Sequence, residues 1–145
     1  METREFFRDF SAFGNVPILI IIYLLALEET PFVFAVIGLF FTLMICYAIK
    51  FFFHKKRPKN MPYTNILERI QSGSFPSVHS AIIMYSGLII ISQVKKPWID
   101  LLFAATILIV GYSRYYLNKH YIKDIVAGYV IGFMIFLFVL KEFFI

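Results

Sequence analysis

Five apolar stretches alternate with short polar loops along this chain. The first is compact, VPILIIIYLLAL over 16–27, and reaches span length only if it starts near Phe10. The others cover 31–53, 78–94, 97–112 and 122–140. Each approaches the roughly 20 apolar residues that a membrane-crossing helix needs. The pattern predicts an all-α polytopic bundle of about five transmembrane helices. Its spans fall near 14–27, 31–53, 78–94, 97–113 and 121–140, within a single integral membrane domain over 1–145. Phe6, Phe7, Phe10 and Phe13 recur at helical spacing and predict an interfacial helix over 1–13. Thr30 before Pro31 reads as an N-cap, so the first two spans form a hairpin. Between the second and third spans, Asn65 and Glu68 have capping-box spacing. Ile66, Leu67 and Ile70 there predict a short amphipathic helix on the membrane surface, placed to roof a site.

Composition supports the same class. Of 145 residues, 60% are hydrophobic, and the mean hydropathy is +0.77. A soluble domain has about half its residues apolar. Glu28 and Glu29 follow the first run where a signal peptide would carry a small-residue cleavage site, so that run is expected to stay in the mature protein. Cys46, the single cysteine, falls inside the second span and is expected to be a buried thiol. The formal charge of +5 comes from basic residues confined to loops between spans. Lipid bilayer headgroups and phosphorylated substrates fit that distribution better than nucleic acid does.

Three polar clusters interrupt this pattern. The second span ends in KFFFHKKRPKN over 50–60, where Lys50 and Arg57 are two helical turns apart and so share one helix face until Pro58. Lys55, Lys56 and Lys59 in the same run read as a basic stop signal with snorkelling side chains. SGSFPSVHS over 72–80 opens the third span. A helix starting at Pro76 and Ser77 would offer the N–H groups of Val78, His79 and Ser80 to an anion. SRYYLNKHYIKD over 113–124 precedes the last span and carries Arg114, His120 and Asp124. If the last helix includes both His120 and Asp124, their four-residue spacing puts them on one face. The carboxylate then accepts an imidazole proton and frees the other ring nitrogen to attack. Counting spans brings all three clusters to one membrane face. Cations, a hydroxyl, a helix N-terminus, two histidines and a carboxylate are what in-line displacement at phosphorus requires.

These stretches resemble the three signature motifs of the type 2 phosphatidic acid phosphatase superfamily. KxxxxxxRP stands as Lys50, Arg57 and Pro58, PSxH as Pro76, Ser77 and His79, and SRxxxxxHxxxD as Ser113, Arg114, His120 and Asp124. The resemblance implies that His120 is the nucleophile and forms a phosphohistidine, with Asp124 orienting it. It implies that His79 protonates the leaving oxygen and then activates water. Lys50, Arg57, Ser77, Arg114 and the backbone at Val78 would hold the phosphoryl group, with no metal and no cofactor. Two departures stand out: Val78 occupies a position where the family usually has glycine, and five spans replace the commoner six.

The expected function is therefore a membrane phosphatase acting on a lipid phosphate or diphosphate. An isoprenoid diphosphate is slightly preferred over phosphatidylglycerophosphate or phosphatidate. The alternatives are hydrolysis of a water-soluble phosphate ester and a non-catalytic lipid-binding or transport subunit. Most Lys and Arg residues fall on the active-site face, which the positive-inside rule assigns to the cytoplasm. The resemblance instead implies an extracytoplasmic site in the cell membrane, and that is the orientation expected here. No oligomeric state is legible.

Overall fold

The computed structural model describes residues 3, 5–7, 14–59 and 62–144. Most of the interfacial helix expected over 1–13 lies outside them, although residues 3 and 5–7 are helical. Six helices follow: α1 (Val16–Ala26), α2 (Glu29–Phe52), α3 (Ile66–Ser72), α4 (Val78–Val94), α5 (Pro97–Tyr116) and α6 (Ile122–Phe144). The described residues contain no strand. Helices α2, α5 and α6 are long and apolar enough to cross a membrane. At 17 residues, α4 reaches only about 25 Å at 1.5 Å per residue. It is flanked by the longer helices. With 11 residues, α1 is too short to cross a core of about 30 Å unaided. Its expected extension back to Phe10 lies outside the described residues.

The N-terminus of α2 differs from expectation. Glu28, not Thr30, is the N-cap, and Glu29 opens the helix. Pro31 tolerates this because a first-turn residue has no intrahelical acceptor to lose. The carboxylate of Glu29 then lies at the positive end of the helix dipole. At α3 the Glu68 N–H donates to Asn65 Oδ1 (2.8 Å). The Glu68 carboxylate accepts from the N–H (2.8 Å) and hydroxyl (2.9 Å) of Thr64. The capping box therefore closes one residue earlier than its spacing implied.

Helix α4 is the axis of the bundle. Ala81, Ile82, Ile83, Tyr85, Ile89 and Ile90 are buried around its circumference, as expected of a helix enclosed on all sides. Tyr85 Oη donates to the Ala35 carbonyl of α2 (3.1 Å), and Tyr23 Oη of α1 donates to Ser86 Oγ (2.6 Å). These hydroxyls satisfy buried polar atoms that would otherwise cost stability in an apolar interior. Cys46 is a buried free thiol on α2.

Helices α4 and α6 pack backbone against backbone, and glycine makes this possible. A Cβ on Gly128 would lie 2.4 Å from the Ser77 carbonyl oxygen, and one on Gly132 would lie 2.2 Å from that of Ala81. Spaced four apart, the two glycines form one smooth stripe against which the α4 backbone packs. Just above it, the Ser77 N–H donates to the Asp124 carbonyl (2.9 Å). The starts of α4 and α6 are thereby fixed side by side.

Substituting Gly132→Ala is expected to force the two helices apart and destabilise the fold by about 1–3 kcal/mol, as overpacking does. Thermal denaturation in detergent measures the loss. Val130→Ala, at a lipid-facing position on the same helix, should change the melting temperature little.

Candidate active site

Lys50 lies in the last turn of α2 and is almost fully buried. The helix then ends at Phe52, so Lys50 and Arg57 do not share a helix face as their spacing suggested. Residues 54–57 are non-helical, and their carbonyls serve tertiary partners. The Lys55 carbonyl accepts from the Ser74 N–H (2.7 Å), and that of Lys56 accepts from Ser74 Oγ (3.1 Å). Lys50 and Arg57 converge nevertheless. Lys50 Nζ donates to the Gly73 carbonyl (2.5 Å), and Arg57 donates to the carbonyls of Gln71 (2.6 Å) and Gly73 (3.5 Å).

Ser77 is the N-cap of α4, and its Oγ accepts from the Ser80 N–H (3.4 Å) and hydroxyl (2.9 Å). Of the three N–H groups expected to face an anion, that of Ser80 is therefore engaged by the cap. Val78 and His79 supply the remaining first-turn donors, at the positive end of the helix dipole. Val78, His79 and His120 line a cavity of about 160 Å³ together with Tyr47, Lys50, Arg57 and Gln71. Arg114, in the last turn of α5, is 4% exposed. Its buried Nε has no hydrogen-bond partner among the described residues. Its carbonyl accepts from the N–H groups of Lys119 (3.1 Å) and His120 (3.2 Å), so the guanidinium and His120 are held on one short loop.

The expected His120–Asp124 pair does not form. His120 precedes α6 instead of lying within it, so the four-residue spacing does not set its direction. His120 Nδ1 lies 2.7 Å from the Ser74 carbonyl oxygen. A carbonyl only accepts, so Nδ1 carries the proton, and the neutral ring keeps its lone pair on Nε2. Asp124, fully buried, accepts instead from Lys55 Nζ, with which it forms an ion pair. Its second oxygen accepts from the Tyr121 N–H (3.0 Å).

The sequence singled out neither Ser74 nor Gly14. Ser74 meets His120 through its backbone carbonyl, which leaves no residue signature. Gly14 packs against the imidazole of His79, where an added Cβ would lie 3.0 Å from Cδ2. Lys55 was read only as part of a basic run. Among the described residues, no group of three or more His, Cys, Asp or Glu side chains gathers to ligate a metal.

The family model of the PAP2 superfamily matches residues 31–144, which include every motif residue described above. The chain belongs to the PAP2 superfamily. Its fold is similar to those of two solved proteins. One is Aquifex aeolicus LpxE, with a TM-score of 0.77 at 22% identity, covering 97% of this chain and 86% of that one. The other is a transmembrane PAP2-type phosphatidylglycerolphosphate phosphatase from Bacillus subtilis, with a TM-score of 0.75 at 18% identity, covering 96% and 75% respectively. No curated protein matches the chain.

In this PAP2 protein, burial first, then the charges of Lys50, Arg114 and Arg57, push the His120 pKa from 6.5 down to about 2, against the raising effect of the Ser74 hydrogen bond. The folded chain therefore holds His120 neutral at physiological pH. The unfolded chain binds a proton at this histidine below about pH 6.5, where the folded chain does not. Stability should consequently fall on acidification through that range, by up to about 1.4 kcal/mol per pH unit from this group. Melting temperatures between pH 7.5 and 4.5 test this, and His120→Asn should flatten the slope.

Proposed function

We propose that the chain is a membrane-embedded phosphatase that hydrolyses a lipid phosphate or diphosphate through a phosphohistidine at His120. The observation that carries this reading is the convergence of Lys50, Arg57, His79 and His120 on one small cavity. Arg114 is buried on the loop that holds His120. Family membership supports the reading. A lipid substrate is favoured over a soluble ester by a more open groove of about 510 Å³ nearby. It is lined by Phe52, Phe53 and Phe75 with His54, Lys55 and Lys123, and its apolar wall beside the Lys123 cation suits an anionic amphiphile. An isoprenoid diphosphate remains the preferred substrate within this class, and the site is assigned to the extracytoplasmic face.

The chemistry proceeds in two displacements. His120 Nε2 attacks phosphorus as the ester or anhydride P–O bond breaks, and His79 gives a proton to the departing oxygen. Lys50, Arg57, Arg114 and the first-turn N–H groups of α4 stabilise charge on the equatorial oxygens. Because Nδ1 keeps its proton against the Ser74 carbonyl, the phosphorylated ring is cationic and remains a good leaving group. Water, deprotonated by His79, then attacks phosphorus. The P–N bond breaks and its electron pair returns to Nε2, releasing phosphate.

A panel of phosphorylated lipids assayed for released phosphate should identify a substrate whose turnover survives a chelator and falls in vanadate. His120→Ala should abolish both turnover and acid-labile labelling by phosphorus-labelled substrate. His79→Ala should lose turnover of alkyl esters by about 10²- to 10⁴-fold. It should still form the phosphoenzyme from a nitrophenyl ester, whose oxygen leaves without protonation. Label that persists on the His120 variant would assign the nucleophile elsewhere.

A further inference from the structure

Lys55 is a non-motif residue inside the first signature run, yet it touches the two other motif regions. Its carbonyl accepts from the Ser74 N–H (2.7 Å), and the Ser74 carbonyl meets His120 Nδ1 (2.7 Å). Its ammonium forms the ion pair with Asp124 and lies 4.4 Å from the centroid of the Tyr121 ring. Asp124 in turn accepts from the Tyr121 N–H, one residue past His120. The side chain of Lys55 is about one-third exposed, whereas Asp124 is completely buried. This is the only salt bridge among the described residues involving a motif carboxylate. A snorkelling lysine would point its ammonium at water or headgroups. Lys55 instead turns inward over an aromatic face to a buried carboxylate.

We propose that Lys55 and the Ser74 carbonyl are the positioning groups of His120, and that Asp124 acts on the nucleophile through Lys55 and Tyr121, not by direct contact with the imidazole. The proposal rests on His120 being the nucleophile. Ser74 fixes the ring with Nε2 free. Lys55 neutralises Asp124 and pins the carboxylate so that the 120–124 turn keeps its shape. No bond to the substrate is needed from Lys55, which separates this role from anion capture. Nor does the imidazole proton pass to Asp124, because it stays on Nδ1 through the phosphorylation step.

The test combines kinetics with ring nitrogen spectroscopy in the full chain in detergent. Lys55→Met should lower kcat by about ten- to a hundredfold, the order expected when a reacting group is misplaced, with KM changed less than about threefold. Lys55→Arg should restore most of kcat. Adding Asp124→Asn to Lys55→Met should raise the melting temperature of the single variant, because it removes a buried charge that has lost its partner. It should lower kcat no further. A rise in KM at unchanged kcat would overturn the proposal in favour of substrate capture.

Nitrogen-15 spectra of the wild type should show His120 protonated at Nδ1 and bare at Nε2, and Asp124→Asn should leave the Nδ1–H resonance in place. A large shift of that resonance on Asp124→Asn would establish direct contact with the carboxylate and overturn the proposal, even if Lys55→Met failed to fold. Full turnover by His120→Ala would overturn the nucleophile assignment itself, and the spectra would distinguish that result from a failure of the positioning scheme alone.

Discussion

The close approach of α4 and α6 is the constraint on which the site depends. Helix association in a bilayer gains little from excluding water, so it relies on backbone contact and on satisfied polar groups. Gly128 and Gly132 allow the contact, and the Ser77–Asp124 backbone hydrogen bond sets its register. One helix begins with the turn that presents Val78 and His79, and the other follows the loop that presents His120. With the two starts fixed together, both histidines reach one cavity. A slide of one turn, about 5.4 Å, would separate them.

The second organising feature is an excess of positive charge at the membrane edge. Lys50, Arg57 and Arg114 are gathered there, while Asp124 is committed to Lys55. The carbonyls of Gln71 and Gly73 hold Lys50 and Arg57. A carbonyl dipole satisfies the donors without cancelling the charge, so an anionic phosphoryl group with several acceptor oxygens is the stronger partner. Burial, reinforced by repulsion from these same cations, holds His120 neutral. The proposed nucleophile and the proposed phosphate site thus share one set of charges. The linker after α3 contributes as well, for its backbone grips Lys50 and Arg57 at one end and orients His120 through Ser74 at the other.

Much of this was legible in the residues. Five apolar runs determined an all-α membrane bundle, because the bilayer requires each crossing segment to satisfy its own backbone hydrogen bonds. The alternation of spans determined that Lys50, His79, Arg114 and His120 lie on one face. Pro76 and Ser77 marked the start of α4, because a cap is a local arrangement of neighbouring residues.

Tertiary structure decided what local spacing left open. Where α2 ends depended on Ser74, whose bonds to the Lys55 and Lys56 carbonyls favour an extended chain over another helical turn. Spacing paired Asp124 with His120 four residues away, but in the fold it pairs with the distant Lys55. The distant one prevails because His120 lies before the helix begins and its ring is already engaged by Ser74. A backbone carbonyl has the same chemistry at every residue, so no pattern of side chains could announce the ones at Ser74 and Gly73. Gly128 and Gly132 carry no signal of their own in the sequence, and only the packed helices show that they face α4. Sequence determined the elements and the reactive groups, since these follow from periodicity and residue type. The hydrogen-bond partners of those groups were determined by which distant segments the packing brought together.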